Sequence, residues 1–229
     1  MVLKLKDEGE SVKKSLNFRQ PQAASEASAL RRPRLPNRAP VPAPATSGLL
    51  VFRDDGWVEG ITHIPSPNFN ARPDGVAVDL VVLHNISLPP GQFGGPGIID
   101  LFTNKLNHDD HPYYATLREL HVSCHFLIRR DGELIQFVSC DDRAWHAGVS
   151  KWEDRENCND FSIGIELEGA DDQPFKSLQY DAAARLTKSI RARYPIRGVM
   201  GHSHIAPERK TDPGPYFDWR YYLYLTEER

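Results

Sequence analysis

Residues 76–84 read Val-Ala-Val-Asp-Leu-Val-Val-Leu-His, nearly unbroken in apolar and β-branched side chains. A strand that is apolar on both faces must be covered on both faces, which places it inside an α/β sheet rather than at an edge. It ends on His84, followed by Asn85, and in open α/β sheets ligands gather at the carboxyl ends of strands. Phe161 to Glu168 adds a second constraint through clean alternation. Phe161, Ile163, Ile165 and Leu167 form one face, while Ser162, Gly164, Glu166 and Glu168 form the other. The first face reads as core. The second, with Gly164 leaving open space beside Glu166, reads as the floor of a cleft.

The remaining pattern supplies partners for these strands. His121 to Ile128 alternates, with His121, Ser123 and His125 on one face and Val122, Cys124 and Phe126 on the other. Asp131-Gly132 then turns the chain into a strand over Glu133 to Val138. A glycine-rich loop over 91–97 leads into a short helix over Ile98 to Leu106. From Ser177 to Tyr194 the pattern is helical, with Leu178, Ala182, Leu186, Ile190 and Tyr194 recurring at every fourth residue until Pro195. Ile196 to Met200 makes a short strand, and Asp218 caps a last helix through Trp219, Tyr222 and Leu225. Strands alternating with helices make this an α/β fold.

Charge divides the chain in two. Residues 1–47 hold nine Lys/Arg against four Asp/Glu and are rich in Ser, Ala and Pro, a composition that does not offset the entropy of ordering. We expect a disordered basic extension there and a folded domain over 48–229. That domain holds 19 basic and 27 acidic residues, a poor match to nucleic acid, which calls for a basic face. No apolar run approaches the roughly 20 residues that cross a bilayer, so no membrane partner is expected. Asp7, Glu8 and Glu10 interrupt the start of the chain where a signal peptide needs an apolar stretch. Cys124, Cys140 and Cys158 form no C-x-x-C pair. Buried thiols in a reducing cytoplasm follow.

The short strand after the long helix delivers Gly201 to Pro215, which packs His202, His204, Lys210 and Asp212 among three prolines. His84, His202 and Asp212 are of the types that hold a catalytic Zn²⁺, which takes three protein ligands and keeps one position open. Glu166 suits a general base. Lys210, sharing a face with Asp212 if that tripeptide is extended, suits the stabilisation of an oxyanion. Together these parts describe metal-assisted amide hydrolysis. Residue type alone leaves His125, His146 and His204 as rivals for the ligand positions, and each group also has an ordinary structural reading as a hydrogen-bonded histidine, a solvated carboxylate or a surface lysine.

Five segments carry a resemblance: VVLHNISLPPGQFGGP (81–96), SCHFLIRRDG (123–132), RAWHAGVS (143–150), CNDFSIGIELEG (158–169) and GHSHIAPERKTDPGP (201–215). In this order over roughly 180 residues from Leu49 onward, they resemble the zinc N-acetylmuramoyl-L-alanine amidases. That family is related to phage T7 lysozyme and the peptidoglycan recognition proteins, and the likeness is to its cytoplasmic 1,6-anhydro-muramoyl branch. The resemblance implies a central mixed β-sheet flanked by helices, with one Zn²⁺ held by His84, His202 and Asp212. It implies Glu166 as catalytic acid/base and Lys210 as transition-state stabiliser, and it removes His125 and His204 from the ligand set. Asn85, His121, His146, Asn157 and Arg209 are expected substrate contacts. The implied partner is a muropeptide, cut between the muramic acid lactyl group and L-alanine during peptidoglycan recycling, by a monomer. His121 and Asn157 stand where the family usually presents arginines for peptide carboxylates, with Arg155 and Arg209 available to compensate. The rival readings are a non-catalytic peptidoglycan-binding protein and a lytic amidase acting on intact peptidoglycan.

Overall fold

A computed structural model describes residues 48–227; the extension expected over 1–47 lies outside the described residues. The main sheet has six strands: β1 (Thr62–His63), β2 (Leu80–Ile86), β3 (Phe126–Ile128), β4 (Leu134–Gln136), β5 (Ser162–Glu168) and β6 (Gly198–Gly201). Their spatial order is β1-β4-β3-β5-β2-β6. β5 runs parallel to both β2 and β3, β6 runs parallel to β2, and β4 is antiparallel to β3. The sheet is therefore mixed, with β2 and β5 inside it, as their apolar faces require. Among the described residues, three helices of six residues or more flank it: α1 (Gly97–Phe102), α2 (Ser177–Arg193) and α3 (Trp219–Thr226).

One sheet face is a continuous apolar layer. Val81, Leu83, Phe126, Ile163, Ile165 and Leu167 pack there against Tyr180, Ala183, Leu186 and Ile190 of α2 and Tyr222 of α3. The other face is split. Leu127 and Ile135 pack under Ile98, Leu101 and Phe102 of α1, and Leu80 and Val82 pack under Trp152, Phe161 and Ile205. Between these two patches the sheet carries His84 and Glu166, which are register partners on β2 and β5. The gap is the cleft.

Several element boundaries differ from the sequence pattern, each for a local reason. The first strand joins the sheet only at Leu80 and continues to Ile86, so His84 lies within the ladder and not at its end. Upstream, the Asp79 carboxylate takes Arg155 at 2.9 and 3.0 Å, and its carbonyl accepts the Arg197 N–H that leads into β6. Of residues 121–128 only Phe126–Ile128 is strand. Ser123 gives its N–H to the Trp145 carbonyl and its hydroxyl to the Asn68 carbonyl, so loops hold that stretch, and Ser123, Cys124 and His125 are all buried.

On α2 the buried residues include Tyr180, Ala183, Leu186, Thr187 and Ile190, whereas Leu178 is 55% exposed. Strict steps of four drift about 40° per step around a helix, so such a stripe walks off the core. The Asp218 cap holds, accepting the Tyr221 N–H at 2.9 Å. α1 and β4 are shorter than the pattern suggested, and β6 runs over Gly198–Gly201.

Candidate metal centre and active site

Three parts of the chain deliver three donors to one point. β2 carries His84, the residue after β6 is His202, and Asp212 follows ten residues later in the segment that folds back over the strand ends. His84 Nδ1 lies 2.9 Å from Asp212 Oδ2 and 3.0 Å from His202 Nδ1, and the third side of the triangle is 3.1 Å. Both histidines are 2% exposed. The second ring nitrogen of each is occupied: His202 Nε2 is 2.9 Å from the Ala147 carbonyl, and His84 Nε2 is 2.9 Å from His146 Nδ1.

A carbonyl only accepts, so neutral His202 carries its proton on Nε2 and presents a lone pair at Nδ1. The crowding of two imidazole nitrogens and a carboxylate oxygen within 3.1 Å is poorly served by hydrogen bonds alone. It fits a shared cation held by two imidazoles and a carboxylate, each ring oriented through its far nitrogen. His84, His202 and Asp212 are a group that can hold a metal ion.

Electrostatics agree with that donor set. Burial, reinforced by His202, pushes His84 down to about 4, which keeps the ring neutral, with a lone pair free to ligate, at neutral pH. Burial alone would raise Asp212, but His202 and His84 outweigh it and hold the carboxyl well below the usual range. Asp212 is thus the anionic member of the donor set.

Glu166 stands next to this triangle, its Oε1 4.0 Å from His84 Nδ1. Its Oε2 is buried and makes no hydrogen bond to the described residues, an orphaned oxygen on a residue that lines the cleft. Burial, then the Asp212 charge, lifts the Glu166 carboxyl well above the ordinary glutamate value, and Lys210 partly opposes the rise. A carboxyl raised this way suits proton transfer near neutral pH. Lys210 itself is lowered by burial, with Asp212 opposing. Lys210, Asp212 and Glu166 line the same cavity of about 520 Å³.

The cavity has a polar end at the histidines and an apolar wall of Leu88, Leu101, Phe102, Leu117, Leu120 and Val122. Asn85, His121, His146 and Arg209 line it as well. Asn85 donates to Asp171 at 2.7 Å, and Arg209 Nη2 donates to the Ala147 and Val149 carbonyls at 2.7 Å each. Asn157 is exposed, adopts φ 56° and is not among the cavity residues. Arg155 is engaged by Asp79 and lies outside the lining too. His125 is buried away from the donors, with Nδ1 accepting the Gly164 N–H at 3.0 Å. His204 turns to the Gly201 N–H.

Other residues of the site escaped the sequence reading. Asn159 Oδ1 accepts the N–H groups of His146 and Ala147 at 3.0 and 2.7 Å, pinning the loop beside the histidines. Asp171 accepts from Asn85 and, at 2.6 Å, from Thr211, tying the Lys210–Asp212 segment to the sheet. The space expected beside Gly164 is filled by His146: a Cβ on Gly164 would lie 2.5 Å from its Cγ. Nothing in a single sequence separates an anchoring Asn or Asp from a solvated one.

A family model described as N-acetylmuramoyl-L-alanine amidase matches residues 74–215, a span that includes every member of this cluster. The chain belongs to the N-acetylmuramoyl-L-alanine amidase family. Among similar proteins, the 1,6-anhydro-N-acetylmuramyl-L-alanine amidase AmpD of Citrobacter freundii is 54% identical over 168 residues, covering 72% of this chain and 90% of that protein. The Escherichia coli K12 amidase of the same name is 50% identical over 177 residues, covering 76% and 97%. A crystal structure of a selenomethionyl AmpD derivative superposes with a TM-score of 0.75 at 52% identity, over 77% of this chain and all of that one. The endolysin amidase LysCS of Clostridium intestinale shares the fold at 16% identity, with a TM-score of 0.51 over 74% of this chain and 96% of its own. The mixed sheet flanked by helices is thus the amidase fold expected from the sequence.

Proposed function

We propose that this amidase is zinc-dependent and hydrolyses the amide joining (1,6-anhydro-)N-acetylmuramic acid to L-alanine in muropeptides, serving peptidoglycan recycling. The observation that carries the reading is the convergence of His84, His202 and Asp212, mutually within 3.1 Å, beside the orphaned Glu166 oxygen. The substrate class is supported by the names of relatives about half identical over nearly their whole length. Residues 48–229 form the amidase domain in this reading. Free cysteines at 124, 140 and 158, all buried, are in keeping with a cytoplasmic site of action.

His84, His202 and Asp212 hold the ion. When bound, Zn²⁺ supplies Lewis acidity at the scissile carbonyl. Glu166 takes a proton from the attacking water as its oxygen bonds to the carbonyl carbon. Lys210 stabilises the negative charge that develops on the carbonyl oxygen. Glu166 then gives the proton to the leaving nitrogen as the C–N bond breaks, releasing a free α-amine on the peptide and a carboxyl on the sugar. The apolar wall of Leu101, Phe102 and Leu117 faces the less polar part of the substrate and keeps water from that side.

Incubation of the purified protein with an anhydromuramoyl tripeptide, followed by mass spectrometry, tests this. Release of free tripeptide, lost on chelation and restored by Zn²⁺, is the expected result. Intact substrate at full zinc occupancy refutes the amidase assignment. Release from polymeric sacculi in preference to the soluble fragment would make the enzyme lytic instead.

A further inference from the structure

Both ligand histidines have their far ring nitrogen held by one dipeptide. His202 Nε2 donates to the carbonyl of Ala147, and His84 Nε2 meets the ring of His146. The first contact dictates its tautomer outright. The second depends on which nitrogen of His146 carries the proton, because an imidazole can donate or accept.

Ser162 decides the direction. Its hydroxyl donates to the Cys158 carbonyl at 2.5 Å, which has no proton to give back. Only lone pairs of Ser162 Oγ remain for His146 Nε2, 3.3 Å away. His146 therefore holds its proton on Nε2 and accepts at Nδ1. His84 must donate there from Nε2, and its Nδ1 is left as a lone pair aimed at His202 and Asp212. The relay runs from His84 Nε2–H to His146, from His146 Nε2–H to Ser162, and from the Ser162 hydroxyl to the Cys158 carbonyl.

We propose that the dipeptide His146-Ala147 is the positioning element that sets the tautomers of both ligand histidines, His84 through the His146–Ser162 relay and His202 through the Ala147 carbonyl. The proposal rests on the zinc reading above and gives His146 a role distinct from the substrate contact expected from the sequence. Two features hold the dipeptide in place. Asn159 Oδ1 takes both of its N–H groups, at 3.0 and 2.7 Å. Gly164 leaves room for the His146 ring where it lies, since a Cβ there would meet Cγ, Cδ2 and Nδ1 at 2.5 to 2.7 Å. Groups that orient a ligand histidine through its second nitrogen change metal affinity by roughly 10- to 100-fold.

The test uses the zinc-loaded protein with ¹⁵N-labelled histidine. Long-range ¹H–¹⁵N spectra report which nitrogen of each ring is protonated. The expected pattern is a proton on Nε2 of His84, His146 and His202, and none on Nδ1 of His146. A proton on His146 Nδ1 reverses the relay and overturns the proposal.

Zinc affinity, measured by competition with a chelator, supplies the second readout. His146→Leu removes the acceptor and should weaken zinc binding roughly 10- to 100-fold. His146→Asn keeps an amide oxygen near the position of Nδ1 and should recover affinity to within a few-fold. Equal losses in the two variants reduce His146 to packing, and a raised KM at unchanged zinc affinity makes it a substrate contact; either overturns the proposal. Should His146→Leu fail to fold, the ring spectra and the His146→Asn variant still decide. Wild-type protein that takes up no zinc overturns the metal centre itself, and that is seen before any variant is made.

Discussion

Replacing Gly164 with alanine adds one methyl group at the centre of β5 and probes the packing of the whole site without touching a ligand. The added Cβ would lie 2.5 Å from His146 Cγ and 2.7 Å from both Cδ2 and Nδ1, where ordinary contact begins at 3.4 Å. The ring must therefore retreat by about 1 Å, through a χ1 rotation or a shift of the loop that carries it, in an interior packed too densely to absorb the overlap. After that shift it cannot keep both its 2.9 Å contact to His84 and its 3.3 Å contact to Ser162.

Overpacking costs about 1–3 kcal/mol, and a lost hydrogen bond costs about 1 kcal/mol more. Removing a glycine from a strand returns about 0.5–1 kcal/mol. The net loss is roughly 1–3 kcal/mol, which for a domain of this size lowers the unfolding midpoint by roughly 2–12 °C. Zinc affinity should fall along with it. Calorimetric unfolding of loaded and chelator-treated protein, with zinc competition on the same samples, measures both. An unchanged midpoint together with unchanged zinc affinity would refute the argument, since His146 would then have room to move without consequence.

Glu166→Gln keeps the shape of the side chain and removes the base; kcat should fall by roughly 10²- to 10⁴-fold while zinc stoichiometry stays at one per chain. Loss of zinc in that variant would place Glu166 in the metal shell instead. pH acts on the chelated protein through its buried neutral histidines. Burial pushes His84 down to about 4, and burial with Arg72 pushes His125 down to about 3. Their folded values lie below the unfolded value of about 6.5, so the unfolded chain binds more protons in between. Their contribution to stability is complete above about pH 6.5 and is lost as pH falls toward 4 and then 3. Denaturant midpoints that stay flat from neutral pH down to 5 would contradict this.

How much was legible in advance depended on how local the information was. The interior position of β2 and β5 could be read because an apolar run or a period of two is written in neighbouring residues. The cap at Asp218 is equally local. Boundaries failed where a distant group took over the backbone or the side chain: Arg155 and Arg197 at Asp79, Trp145 and Asn68 at Ser123. Leu178 fits the every-fourth-residue pattern yet lies exposed, because four helical residues turn through about 400° and the stripe drifts off the core. Among the site residues, His84, His202, Asp212, Glu166 and Lys210 were named from residue type and family likeness, and the structure brings them to one cavity. Asn157 was named the same way and lies outside it.

The sequence by itself determined which side chains are chemically able to ligate, to transfer a proton and to bear positive charge, and which segments must be buried strands. Tertiary structure alone decided that donors 128 residues apart stand 2.9 Å from each other, and which nitrogen of each ring faces inward. The physical reason is directional. A strand's periodicity is set by its own backbone, but a lone pair's direction is set by the partner on the far side of the ring. For His84 and His202 those partners, His146 and the Ala147 carbonyl, come from a loop that only the fold places there.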